Sequence, residues 1–289
     1  MSPGGVEVSV VIPVRDGAAS LPPLLESLDR QTLARERFEV VVVDNASRDD
    51  TAEIARRAGA TVVSEPIPNR SRARNAGIAA ARADYIAFTD ADCVVAPGWL
   101  EAYLAWRGSA PLIAGPVEVT TGDPPNAVER FESLWRFGQE HWVKEGWAAT
   151  ANLAAERAVL EEIGGFDVTY RHIGEDVDMC VRATRAGHGL GWCPDASVSH
   201  YAEDEPWKML KRAFFHGYSV NQAHYRLGLG YRAWAHPLPA CSGRRALATI
   251  GVGPRRFDPA ERRRMARLAQ AVYGMRVLGS VWAELRRAR

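Results

Sequence analysis

The chain is poor in cysteine, and the four it has are scattered: Cys93, Cys180, Cys193 and Cys241 form no C-x-x-C pair. That spacing excludes a zinc knuckle and a disulfide framework and suits a reducing compartment. Long apolar runs are absent. No stretch approaches the roughly 18 residues that a membrane span requires. The opening Met1-Ser-Pro-Gly-Gly-Val-Glu7 has neither the basic nor the apolar segment of a secretion signal. Net charge is almost lacking, at +1, so the total points to no partner and gives no ground to expect nucleic acid. Internal repeats and low-complexity segments are missing. What remains is a globular composition, 47% hydrophobic and 25% charged, with 289 residues for one large α/β domain and an appendage. The expected location is the cytoplasm, with a peripheral position at the inner membrane face as the variant.

Charge is distributed unevenly. From Arg244 to Arg289 twelve arginines stand against three acids, which leaves the rest acidic on balance. In that acidic portion apolar runs alternate with helical periods. Val8 to Pro13, Phe38 to Asp44, Ala60 to Ser64 and Tyr85 to Thr89 read as strands. Ser20 to Leu33, Thr51 to Ala58 and Arg72 to Arg82 read as the helices between them. Such alternation indicates βαβ units and a mostly parallel, Rossmann-like sheet with helices on both faces. Ligands of such sheets sit at the carboxyl ends of the strands. Pro13-Val-Arg-Asp16, Asp44-Asn45 and Asp90-Ala-Asp92 all fall there, so three separated polar clusters are expected on one rim.

Later elements are less regular. Leu112 to Val119 reads as a strand, Asn126 to Trp142 as one helix, and Trp147 to Asn152 as a strand or extended loop. Helices are expected over Glu156 to Ile163 and Glu175 to Ala186, each closed by glycine. A short strand is expected at Ala196 to His200, then helical rhythm from Trp207 to Tyr225 and from Met265 to Leu285.

Ser47 to Asp50 suit turn and cap chemistry, whereas Asp44 stands at the strand tip, where an acid can accept from a ribose or a base edge. Asn69-Arg-Ser-Arg-Ala-Arg-Asn75 gathers three arginines at a helix start, where cations oppose the macrodipole unless an anionic ligand compensates. Asp90 and Asp92 offer oxygen ligands suited to Mg2+ or Mn2+ with a phosphate. Glu175 and Asp176 are adjacent acids, and like charge keeps one carboxyl basic enough to act as a general base. Asp178 and Arg182, four residues apart, read as a structural pair.

In this order, Val8-Ser-Val-Val-Ile-Pro13, Val42-Val-Asp-Asn-Ala-Ser47, Ala73-Arg-Asn-Ala-Gly77, Asp90-Ala-Asp92 and Gly164-Gly-Phe-Asp…Gly-Glu-Asp176 resemble the motifs of family-2 glycosyltransferases. The resemblance covers about Val6 to His200. It implies a GT-A fold, a nucleotide-sugar donor (a UDP-sugar first), a hydroxyl-bearing acceptor and inverting transfer assisted by Mn2+ or Mg2+. Carried over by position, Pro13, Arg15, Asp44, Arg72, Arg74 and Asp90 would bind the nucleotide. Asp92 and His200 would hold the metal. Asp176, with Glu175 beside it, would be the catalytic base, and Trp147 and Asn152 would line the donor or acceptor pocket. Arg15 and Arg72 stand where an aromatic and a small residue are frequent in the family. Trp135 and Trp142, at helical spacing, are expected in the core, and Cys93 is expected to pack beside Asp92 without acting as a ligand.

The expected division is a transferase domain over residues 1–205 and a basic, mainly helical extension over 206–289. That extension would rest on a membrane face, pack on the domain, or form a homodimer. Other readings of the D-x-D are a haloacid-dehalogenase-like phosphohydrolase using Asp90 as nucleophile, a nucleotidyltransferase, and a non-catalytic nucleotide-sugar-binding module. The phosphohydrolase wants its D-x-D near the first strand, and the nucleotidyltransferase wants a glycine-rich, lysine-bearing first loop. Neither is found here.

Overall fold

β-Branched runs with no polar interruption open the chain, and they form its innermost strands. In the computed structural model, which describes residues 5–135, 138–228 and 258–287, Val8–Val14 (β1) and Phe38–Asp44 (β2) pair in parallel. Leu21–Asp29 (α1) connects them and buries Leu21, Leu24, Leu25 and Leu28. Thr51–Arg57 (α2) leads to Thr61–Ser64 (β3), parallel to β2, and Arg70–Ala80 (α3) leads to Tyr85–Thr89 (β4), parallel to β1. The chain continues through Cys93–Val95 (β5), Trp99–Trp106 (α4), Leu112–Ala114 (β6), Val117–Thr120 (β7), Ala127–Trp135 (α5) and Gln139–Lys144 (α6). Then come Asn152–Glu156 (β8), Arg157–Glu162 (α7), Glu175–Arg185 (α8), Leu190–Trp192 (β9), Val198–Tyr201 (β10), Pro206–Arg226 (α9) and Pro259–Arg287 (α10).

The main sheet has seven strands in the order β3-β2-β1-β4-β8-β6-β9. Strand order reverses between β1 and β4, which leaves a crevice at their carboxyl ends. The expected α/β class and mostly parallel sheet are found. The exception is β8, antiparallel to both β4 and β6. A smaller three-stranded sheet has the order β5-β10-β7.

Boundaries differ from expectation where local signals conflict. The single strand expected over 112–119 splits at Gly115-Pro116, because proline has no N–H for the ladder. The helix expected over 126–142 is two helices, α5 and α6. The strand or loop at 147–152 is loop up to Asn152, where β8 begins, since Leu153, Ala154 and Ala155 are the residues buried in the sheet.

The chain divides into two compact units. One comprises residues 1–118, 138–171 and 175–200 and contains the main sheet. The other comprises 119–137, 172–174 and 201–289, so it draws in more than the residues after 205. Its core is apolar, with Val128, Phe131, Met209, Ala213, Met265, Ala269 and Val272 buried among α5, α9 and α10. Helices α9 and α10 approach at Gly217 and Gly279. A Cβ on Gly217 would lie 1.9 Å from the Arg276 carbonyl oxygen, and one on Gly279 1.9 Å from that of Phe214, so only glycine permits this crossing. No helix among the described residues is long and apolar enough to cross a membrane. Cys93, Cys180 and Cys193 are free and buried, and Cys241 lies outside the described residues.

Candidate active site

The rim at the ends of β1, β2 and β4 is built from loops that fasten one another. Asp16 adopts a left-handed backbone, φ 51°, and its N–H donates to Ser47 Oγ at 3.0 Å while its Oδ1 accepts from Arg48 N at 2.8 Å. Gly17 N donates to Thr51 Oγ1 (2.8 Å) and Ala18 N to Asp49 Oδ2 (3.0 Å). The turn residues after β2 therefore hold the loop after β1 as well as starting α2. Asp44, half-buried at the tip of β2, is level with Val14 and accepts from Ser47 N at 3.1 Å.

Two asparagines join α3 to the loop before α8. Asn75 Nδ2 donates to the Phe166 carbonyl and its Oδ1 accepts from Phe166 N, both at 2.8 Å. Asn69 caps α3 through Arg72 N at 2.9 Å, and its amide donates to the Val168 and Tyr170 carbonyls. Phe166 is thereby fixed edge-on to Phe88 of β4, with the Arg74 guanidinium 5.5 Å above its ring.

Arg74 is 3% exposed. One amino group donates to Glu175 Oε1 at 2.7 Å and the other to Asp90 Oδ1 at 3.2 Å. Burial alone would lower its pKa, but the charges of Glu175, Asp90 and Asp176 outweigh that and keep it above the usual arginine value. The neighbouring acids of α8 are thus separated in character. Glu175 is buried and engaged by Arg74. Asp176 is pushed up to about 7, first by burial and then by the charge of Glu175, against the opposing effects of Arg74 and the Val177 N–H.

Asp92 and His200 meet through strand pairing. β10 runs antiparallel to β5 with His200 opposite Cys93, which brings His200 Nε2 to 3.2 Å from Asp92 Oδ1. His200 is 2% exposed, whereas the Asp92 carboxylate is about half exposed. Ligand atoms of Asp92, Cys93 and His200 all lie within 4.8 Å of one another.

The profile of the Glycosyl transferase family 2 matches residues 9–151, and that of Glycosyl transferase family group 2 matches residues 85–253. Glycosyltransferase AglE of Haloferax volcanii is 32% identical over 219 residues, 72% of this chain and 70% of that protein. The chain is a family-2 glycosyltransferase. The pre-mycofactocin glycosyltransferase of Mycobacterium tuberculosis is 30% identical over 75% of this chain, which spans 47% of that longer relative. In fold the transferase is similar to the mannosyltransferase PcManGT of Pyrobaculum calidifontis (TM-score 0.67, 18% identity, 98% of this chain and 88% of that one). It is also similar to residues 1–349 of S. aureus TarS (TM-score 0.56, 15% identity, 98% and 93%). The GT-A fold is therefore established, and membership of the family sets aside the phosphohydrolase and nucleotidyltransferase readings.

Other expected site residues of the transferase are placed unequally. Pro13 is half-buried at the rim, Arg15 is exposed with Asp16 3.7 Å away, and Arg72 is half-buried in the first turn of α3. Arg74, expected to reach a nucleotide, instead lies inward between two carboxylates. Asn152 is also corrected. It is fully buried, its Oδ1 accepts from Trp99 Nε1 (2.8 Å) and Tyr103 OH (2.6 Å), and its Nδ2 donates to the Pro116 and Ala196 carbonyls (2.7 Å each). With both donors and both lone pairs used, it braces the fold and does not line a pocket. Trp147 stacks on Trp142 at 4.4 Å, both half-buried, so its ring already has one aromatic partner. The side chain of Trp135 lies outside those described. Sequence reading missed the work of Asn69 and Asn75. The available signal was an asparagine before the arginine run of α3.

Proposed function

We propose that this transferase moves a sugar from a nucleoside-diphosphate sugar to an acceptor hydroxyl in one inverting, in-line displacement, with Asp176 as the base. The observation that carries the reading is the division of labour on α8: Glu175 is buried against the Arg74 guanidinium at 2.7 Å, and burial together with the Glu175 charge pushes Asp176 up to about 7. A base with that pKa is ionised enough at pH 7 to accept the acceptor's proton and basic enough to keep it. Asp44, Arg15, Arg72 and Pro13 stand on the rim where base and ribose would lie. Asp90, fixed by Arg74 at 3.2 Å, would face the ribose.

The donor class is supported by solved relatives of this fold, since PcManGT was solved with GDP-Man and Mn2+ and TarS with UDP-GlcNAc. A uridine donor is the first to try. The donor set fits a divalent cation: a carboxylate and an imidazole favour Mn2+ over Mg2+. A cation held by Asp92 and His200 would supply positive charge to the departing diphosphate. The transfer chemistry is assigned to residues 1–205, with 206–289 as the basic helical extension.

The test pairs Asp176→Asn with a nucleotide-binding measurement. The variant should lose transfer while nucleoside diphosphates, with Mn2+, still raise its melting temperature as they do for the parent. Parent and variant both without turnover on any donor would favour a binding module. Absence of any nucleotide-dependent shift would refute the donor site.

A further inference from the structure

The helical unit exposes large apolar side chains that its own core does not use. Trp207 is 56% exposed, and Leu278, Trp282 and Leu285 are 57%, 46% and 57% exposed. Trp207, Leu210, Lys211 and Phe214 of α9 line an open groove of about 470 Å3 together with Met275 of α10. From Met275 the spacing to Leu278, Trp282 and Leu285 is three, four and three residues, which keeps one face of the helix. The groove thus continues as an apolar stripe toward the end of α10.

Cations sit against both tryptophans. Lys211 places Nζ 5.9 Å from the centre of the Trp207 ring, as does Lys208, which is also paired with Glu205 at 2.5 Å, and the Arg286 guanidinium lies 5.4 Å from the centre of the Trp282 ring. Exposed Arg264 and Arg267 precede the stripe on the same helical face. We propose that this face is a docking surface for an anionic lipid bilayer, on which α9 and α10 lie without crossing it.

Charge complementarity selects that occupant. Tryptophan rings suit the boundary between acyl chains and headgroups, and lysine and arginine stems follow an apolar surface while their heads reach phosphate. A bilayer therefore satisfies both halves of the patch together. Among the described residues of this patch, a second copy could meet the cations near Trp207 only with the Glu203 and Glu205 carboxylates that Lys208 already occupies, whereas lipid phosphates supply new anions along the whole stripe. The basic excess of the segment from Arg244 onward, twelve arginines to three acids, adds long-range attraction of the same sign. This inference is independent of the proposed donor and base.

The experiment is flotation of the full-length protein with vesicles of phosphatidylcholine alone and of phosphatidylcholine with about one third phosphatidylglycerol. We expect binding to the anionic vesicles only, weakened at least about tenfold when salt rises from about 0.1 M to about 0.5 M. Trp207→Ala combined with Trp282→Ala, and separately Lys211→Glu combined with Arg286→Glu, should each abolish flotation. Both pairs are exposed, and an unchanged melting temperature and far-ultraviolet circular dichroism will show that each variant is folded. Equal flotation on neutral vesicles, no flotation of the parent, or unimpaired flotation of both variants would overturn the proposal. So would a stable dimer that the tryptophan variant dissociates, because it would assign the face to a second copy.

Discussion

The two units of this chain invert the usual rule of burial in opposite ways. In the sheet unit, charged groups are inside: Arg74 and Glu175 are each 3% exposed. In the helical unit, apolar groups are outside: Trp207, Leu278, Trp282 and Leu285 face solvent. Both arrangements cost free energy in the isolated chain, since buried charge loses hydration and exposed apolar surface orders water. Stability explains neither. The difference teaches that each unit places groups where local folding energetics would not put them, and the proposed base and the proposed docking face each draw on one such group. Buried ion pairs set the protonation of a neighbouring carboxyl, and exposed aromatics beside cations suit a wet-to-oily boundary.

The comparison breaks most readily at its centre. Asp176→Asn is expected to lower the transfer rate about 100- to 10,000-fold, as loss of a general base does, measured with saturating donor and acceptor. Removing the cation beside it should act on the fold. Arg74→Met leaves Glu175 buried without its partner and should cost about 3–5 kcal/mol, read by urea denaturation. Adding Glu175→Gln should restore part of that loss, and a failure to do so would show that Arg74 acts mainly by packing on Phe166.

A third test uses pH. Asp176 titrates near 7 in the fold, above the ordinary aspartate value, so the native state binds the proton more tightly than the unfolded chain. Its favourable contribution is complete below about pH 4 and is lost as pH rises through about 7. The melting temperature of Asp176→Asn should therefore gain on that of the parent between pH 4 and pH 8 (both approximate bounds). Parallel curves would mean that the carboxyl is not raised.

The smallest expected effect sharpens the contrast between units. Trp99 is fully buried with its N–H on Asn152, and Trp99→Ala should cost about 3–5 kcal/mol. The same change at Trp282, 46% exposed, should alter stability by no more than about 0.5 kcal/mol. A larger loss at Trp282 would mean that the tryptophan is held by its own unit.

Much of the fold was legible because local signals and tertiary demand agreed. The apolar runs of β1, β2 and β4 can be satisfied only in a sheet covered on both faces, and the leucines of α1 have one period and one buried side. Agreement failed at Gly115-Pro116 and at Asn152. There the decisive partners, such as the Ala196 carbonyl, are some 40 residues or more away along the chain. The three rim clusters could be placed from strand ends alone. The inward turn of Arg74 could not, since an arginine at a helix start looks the same whether it faces phosphate or a buried acid.

The sequence by itself determined the alternation of strands and helices, the residue types at the rim and the family, because these depend on periodicity and on short motifs. Only the tertiary structure separated the two adjacent acids in character, with Glu175 engaged by Arg74 and Asp176 raised to about 7. Burial, the distance to Arg74 and the charge of Glu175 set that difference, and all three are properties of the assembled fold. The same holds for Asp92 and His200, more than 100 residues apart, which a strand register places within hydrogen-bonding distance.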